Sequence, residues 1–212
     1  MAASRNRSAT AATGRPGGHR LRQEVVSHHQ RQRILRAAAE VFAASGYRQV
    51  AVADIVKQAG VGRGRFYEHF SSKEDCFLAL YDFGASSALS VVEEACSGPA
   101  LTFAERVQAG MAAFLDYVEA NPDLARSCIV EGPAAGPAAT ARFESAIGEF
   151  ASLLQRSRGD AGEDPLLSGA GETLIGGLYW ILYYAVLEHR PKKLGRLLPQ
   201  LSELSLITFA AA

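Results

Sequence analysis

Arg63 and Arg65 stand two residues apart at the start of a short helical segment, just past Gly60. An arginine guanidinium bonds guanine O6 and N7 in a bidentate fork, or it grips a phosphate. Both uses are open for this pair. The other reactive residue types point away from catalysis. His28 and His29 are adjacent, so on a helix they diverge by about 100° and make a poor metal pair. His19 lies in a polar leader, and His189 stands alone near a helix end, where positive charge suits the dipole. Cys76, Cys96 and Cys128 are far apart with no CxxC pair, which disfavours a disulfide framework or zinc finger. Cys96 and Cys128 read most simply as small apolar core groups, with thiol sensing as the alternative. No Gly-x-Ser-x-Gly, P-loop or His-Glu-x-x-His occurs. We expect no enzyme, no metal and no cofactor.

Charge is divided along the chain. Of the 212 residues, 22 are Lys or Arg and 22 are Asp or Glu, so the net charge is zero. Residues 1–75 nevertheless hold 13 basic against 6 acidic side chains, a net +7, and the remainder is −7. A basic N-terminal third on an acidic body is the footprint of a nucleic-acid-binding segment. A hydrophobic content of 48% supports a packed core. The leader has no apolar stretch of the secretory kind. Thr173–Leu187, fifteen residues long, falls short of the roughly 18 a membrane span needs. A soluble, cytoplasmic protein is expected.

The elements that must position Arg63 and Arg65 are helices. Residues 1–27 are polar, arginine-bearing and aperiodic, and read as a flexible basic tail. From Gln30 to Ala44, Ile34, Leu35, Ala38, Val41 and Phe42 share one helical face, and Gly46 stops the helix. A short helix over Ala53–Ala59 follows, turning inward Val52, Ile55 and Val56. Gly60 supplies the left-handed residue of a tight turn. A second short helix, Arg63–Phe70, carries Phe66, Tyr67 and Phe70. Ser71 with Glu74 three residues on reads as a capping box opening a long helix. Beyond it, helical patterns cover Leu101–Ala120, Pro122–Glu131, Pro137–Arg156, Leu166–His189 and Pro191–Phe209, separated by Gly and Pro breaks. The expected fold is all-α with about nine helices: an N-terminal three-helix helix-turn-helix unit, then a larger C-terminal helical bundle. Its second short helix is built to enter a DNA major groove.

Phe42-Ala43-Ala44-Ser45-Gly46-Tyr47, Asp54-Ile55, Ala59-Gly60-Val61, Gly64-Arg65-Phe66-Tyr67-Glu68-His69-Phe70 and Ser72-Lys73-Glu74 resemble the DNA-binding domain of TetR/AcrR-type transcriptional regulators. The resemblance covers about residues 30–80, and the remainder fits in outline. It implies that Tyr67, His69 and Lys73 contact phosphates and that Gly64 allows close approach to DNA. Phe66 and Phe70 are core. Three positions depart from the pattern. Ala51 stands where the family has a capping Thr or Ser, Gly62 where it has Ser, and Arg65 where it has Thr. Arg65 therefore points to a base contact, and to guanine in the half-site. The arginines preceding Ile34 would add phosphate contacts through the tail.

The resemblance also implies a homodimer paired through the last two long helices, with Leu174, Leu178 and Leu182 on one and Leu197, Leu201 and Leu204 on the other. It implies a small effector inside the bundle. The candidate lining is aromatic: Phe83, Met111, Phe114, Tyr117, Phe143, Phe150, Tyr179, Trp180, Tyr183 and Tyr184, with Trp180, Tyr183 and Tyr184 as the leading cluster. Such a set suits a largely apolar ligand. The expected organisation is a tail over 1–27, a DNA-binding unit over 28–75, and an effector and dimerisation body over 76–212. The expected function is a ligand-responsive repressor that binds an inverted-repeat operator on double-stranded DNA. The alternative is an architectural or spatial-organising DNA-binding protein without an effector.

Overall fold

The computed structural model describes residues 16–98, 100–158, 165–188 and 191–203. Among them every regular element is helical and no strand occurs. The order is α1 (Pro16–Ser45), α2 (Val52–Ala59), α3 (Arg63–His69), α4 (Lys73–Cys96), α5 (Phe103–Ala120), α6 (Pro122–Ala125), α7 (Pro137–Arg158) and α8 (Pro165–Leu187). A π turn, Arg126–Val130, and a 3-10 turn, Gly132–Ala135, link α6 to α7. After α8 comes a 3-10 stretch, Pro191–Leu197, running into α9 over 198–203.

α1 to α3 form the small unit. Ile34, Leu35, Ala38 and Phe42 are buried on one face of α1, as their spacing dictates. Gly46 ends the helix at φ 81°, donating its N–H to Phe42 O at 2.9 Å. Phe42, Tyr47 and Phe77 then close into an aromatic trio with centroids 5.0–5.5 Å apart. Ala51 begins α2 without a side-chain acceptor. Only the Asp54 half of a capping box remains, its carboxylate accepting the Ala51 N–H at 2.8 Å. Gly60 turns the chain at φ 62°, and Phe66 and Phe70 anchor α3 in the core.

Several expectations shift. α1 starts at Pro16, so 16–27 is helical rather than tail. Proline suits a first helical turn, and the residues from His19 to Val26 include no breaker. Residues 1–15 lie outside the described part. The cap of α4 slides by one residue. Ser72 Oγ accepts the Asp75 N–H at 3.0 Å, and Asp75 accepts from Ser71 N at 2.7 Å and Ser71 Oγ at 2.9 Å. Asp75, not Glu74, is third in the helix, and its shorter carboxylate reaches back. Pro191 onward opens as 3-10 rather than α.

α4 joins the two parts of the molecule. Its Cys76, Phe77, Leu80 and Tyr81 belong to the same buried cluster as Ile34, Phe42, Ile55 and Phe66. Leu115, Val118, Leu174, Leu178, Leu182, Leu194 and Leu201 form the second cluster, between α5, α8 and the last turns. By length and composition α4 could cross a membrane, yet its apolar face is packed inside the bundle.

Candidate nucleic-acid interface and cavity

α3 presents one solvent face. Arg63, Gly64 and Arg65 are exposed, and Tyr67 is 49% exposed. The Arg65 guanidinium rests 2.7 Å from the Glu68 carboxylate one turn on. That exposed pair is weak and is readily exchanged for a nucleic-acid contact. A Cβ added at Gly64 would meet no atom within 4 Å, so the space over it is open.

The remaining contacts expected there are arranged differently. His69 is half-buried with Nε2 enclosed and without a partner. Lys73 Nζ donates to Tyr47 O and Val50 O, both at 2.8 Å, and lies 4.3 Å from the Tyr47 ring centroid. Two of its three N–H bonds therefore fix the α1–α2 loop against α4. Arg33 donates to Ala59 O at 2.7 Å and Gly60 O at 3.2 Å, bracing the turn before α3. Arg31 stacks 5.2 Å from the Phe70 ring centroid. These last two arginines serve the unit's own framework rather than a tail.

The bundle encloses an apolar cavity of about 190 Å³. α4 contributes Tyr81, Gly84, Ala85, Ala88, Val92 and Cys96; Met111, Phe114 and Tyr117 come from α5, and Phe143 and Phe150 from α7. α8 turns in Ile175, Leu178, Tyr179 and Leu182. Phe143 and Tyr179 stack at 4.4 Å, and Phe114 meets Phe150 at 5.5 Å. Six of the ten expected lining residues are thus brought together. The other four are not. Phe83 is 38% exposed, Trp180 and Tyr184 are each 57% exposed, and Tyr183 is half-buried outside the cavity. At 100° per residue, Ile175, Leu178, Tyr179 and Leu182 take the inner face of α8, leaving Gly177, Trp180, Ile181 and Tyr184 outward. The expected dimer leucines are placed differently from one another. Leu174, Leu178, Leu182 and Leu201 are buried within this chain, Leu197 is half-buried, and Leu204 lies outside the described residues.

Sequence reasoning missed two sets of residues. The first is the small-residue strip on α4 with Arg106 at its far end, because small residues at helical spacing read as close helix packing. The second is a clasp between cavity wall and DNA-binding unit. Arg126 Nε donates to Ala43 O at 2.9 Å, the buried Ser127 Oγ donates to Ala39 O at 3.0 Å, and the Glu131 carboxylate accepts the Tyr47 N–H at 2.9 Å. On its other side the same π turn offers Cys128 and Ile129 to the cavity, where Tyr179 OH donates to Ile129 O at 2.7 Å. No sequence pattern marks pairings more than 80 residues apart.

Burial pushes the Cys76 and Cys128 thiols each up to about 12, and raises Cys96 as well. They are held as neutral thiols, not as thiolates. Among the described residues no three His, Cys, Asp or Glu side chains come together as a metal site.

The family described as "Bacterial regulatory proteins, tetR family" matches residues 34–80, from mid-α1 into α4. The HTH-type transcriptional activator FasR of Mycolicibacterium smegmatis is 32% identical over 103 residues, 49% of this chain and 47% of its own. The match thus spans about half the length of that relative. The solved fatty acid degradation regulator FadR of Bacillus halodurans overlays with a TM-score of 0.73 at 21% identity, covering 84% of this chain and 94% of that one. FadR of Bacillus subtilis, solved in complex with stearoyl-CoA, overlays at 0.69 with 22% identity, covering 82% and 96%. These neighbours share the fold, and the relatives are named as regulators rather than enzymes. With its helix-turn-helix, the segment over residues 34–80 is that of the tetR family of bacterial regulatory proteins, and the helical remainder shares the fold of the two FadR structures.

Proposed function

We propose that this chain is a sequence-specific transcriptional regulator of the cytoplasm, a repressor that binds an inverted-repeat operator as a homodimer and is released by an apolar effector. Residues 28–75 read DNA, and 76–212 hold the effector and pair the subunits. One observation carries the reading. The π turn Arg126–Val130 lines the cavity on one side and clasps the C-terminal end of α1 on the other. A ligand that displaces Cys128 or Ile129 moves the helix on which α2 and α3 rest. Such a ligand shifts the equilibrium by its differential affinity for the two arrangements.

The outward face of α8 supports a contact with the second copy there. Gly177, Trp180, Ile181 and Tyr184 form an apolar stripe that is exposed among the described residues. A self-complementary two-fold contact there would cover it. It would also set two α3 helices for half-sites about 34–36 Å apart or a multiple of that spacing. Two of the solved neighbours are FadR proteins, one titled a fatty acid degradation regulator and the other solved in complex with stearoyl-CoA. Both support a fatty-acyl-type effector for the apolar cavity here.

The test is selection of fragments from the source genome by the purified protein at about physiological salt. A few fragments sharing an inverted repeat are expected, and a reporter driven from the adjacent promoter should rise when the protein is deleted. Indiscriminate recovery that vanishes with added salt would leave only the phosphate term, and the architectural reading would replace this one.

A further inference from the structure

The cavity has a direction. Its wall on α4 is the single strip Tyr81, Gly84, Ala85, Ala88, Val92 and Cys96. At 1.5 Å per residue, positions 81 to 96 span about 22 Å along the helix, so the space is a channel rather than a sphere. Glycines let its walls close on one another. A Cβ at Gly84 would lie 3.2 Å from Cys128 Sγ, and one at Gly110 would lie 2.7 Å from Cys96 Sγ.

The two ends differ in chemistry. The Tyr81 end, beside Leu124 and Cys128, holds only groups that burial keeps neutral. At the Cys96 end stands Arg106, the one charged side chain lining the cavity among the described residues. Its Nη1 donates to Ser157 O at 3.3 Å, while its Nε is fully enclosed and has no partner. No carboxylate among the described residues pairs with it. A carboxylate or thioester oxygen in the cavity would accept a charge-assisted bond from the guanidinium.

We infer that the cavity takes a single-chain amphiphile with its acceptor-bearing head group against Arg106 and its tail toward Tyr81 and Cys128. Arg106 is then the residue that selects the head group. This rests on the reading that the cavity is an effector site, and the test separates the two.

Calorimetric titration of the purified full chain with hexadecanoic acid and with 1-hexadecanol compares matched chains that differ in head group alone. Wild type should bind the acid at least tenfold more tightly than the alcohol. In Arg106→Met, and equally in Arg106→Gln should the first variant melt early, the acid should fall to the affinity of the alcohol. Hexadecanoyl-CoA as a third probe tells whether the head group is a free acid or a thioester, and either supports the inference if the preference is lost on substitution. Equal binding of acid and alcohol by wild type, or a preference that survives Arg106→Met, would overturn this inference and leave the effector site standing. Binding of none of the three would overturn both.

Discussion

The arginines of this protein divide by what surrounds them. Arg33 and Arg31 are committed to the turn before α3 and to the Phe70 ring, while Arg63 and Arg65 face solvent. Sequence alone could not make that division, because a long side chain reaches carbonyls more than twenty residues away. The same holds for Lys73, whose ammonium secures Tyr47 and Val50. The residues that were legible are those whose backbone or bulk leaves little choice. Gly46 and Gly60 sit at positive φ, and Phe66 and Phe70 fill the core. Arg65→Ala should cost about 1–3 kcal/mol at one guanine position and relax preference there. Uniform weakening across sequences, with a salt slope lower by about one, would make Arg65 a phosphate contact instead. The thiols give a second prediction at this scale. Cys76 and Cys128 are protonated in the fold up to about 12, against a usual 9.0. The unfolded chain loses these protons first. Their contribution to stability is therefore whole below about pH 9 and declines as pH rises toward 12. Iodoacetamide at pH 8 should label them slowly in the native protein and quickly in urea.

Among the elements, α3 trades stability for approach. Gly64 lies inside a helix, where glycine costs roughly 0.5–1 kcal/mol relative to alanine. Nothing within 4 Å would hinder a Cβ there. Gly64→Ala should raise the melting temperature and lower DNA affinity, since the added methyl stands where a phosphate backbone would pack. A rise in both would mean that DNA does not approach at this point. α8 is the element that the sequence could not orient. It is apolar on nearly every face from Thr173 to Leu187, so periodicity could not tell core from contact surface. Packing decided it by enclosing Leu174, Leu178 and Leu182 and leaving Trp180 and Tyr184 outside. Trp180→Glu with Tyr184→Glu should convert a dimer to a monomer in sedimentation without lowering helix content. A dimer that survives both changes would place the subunit contact elsewhere.

For the molecule as a whole, the account is a DNA-reading unit whose resting geometry is held by the wall of a cavity. α4 runs from the N-terminal buried cluster along the cavity, and the clasp of Arg126, Ser127 and Glu131 adds a second connection between α1 and the cavity wall. The all-α architecture and the helix-turn-helix were legible because periodic apolar faces and glycine turns are local. The cavity's small-residue strip and the clasp were not, because they exist only once distant helices meet. The measurement that bears most directly on this account is the affinity of the purified protein for its selected inverted repeat. It should be compared with a scrambled duplex of equal length and base content at about physiological salt. The account predicts a preference of about 10³-fold or more, with two protomers per repeat. Equal affinity for the two duplexes, with a steep loss on adding salt, would contradict it.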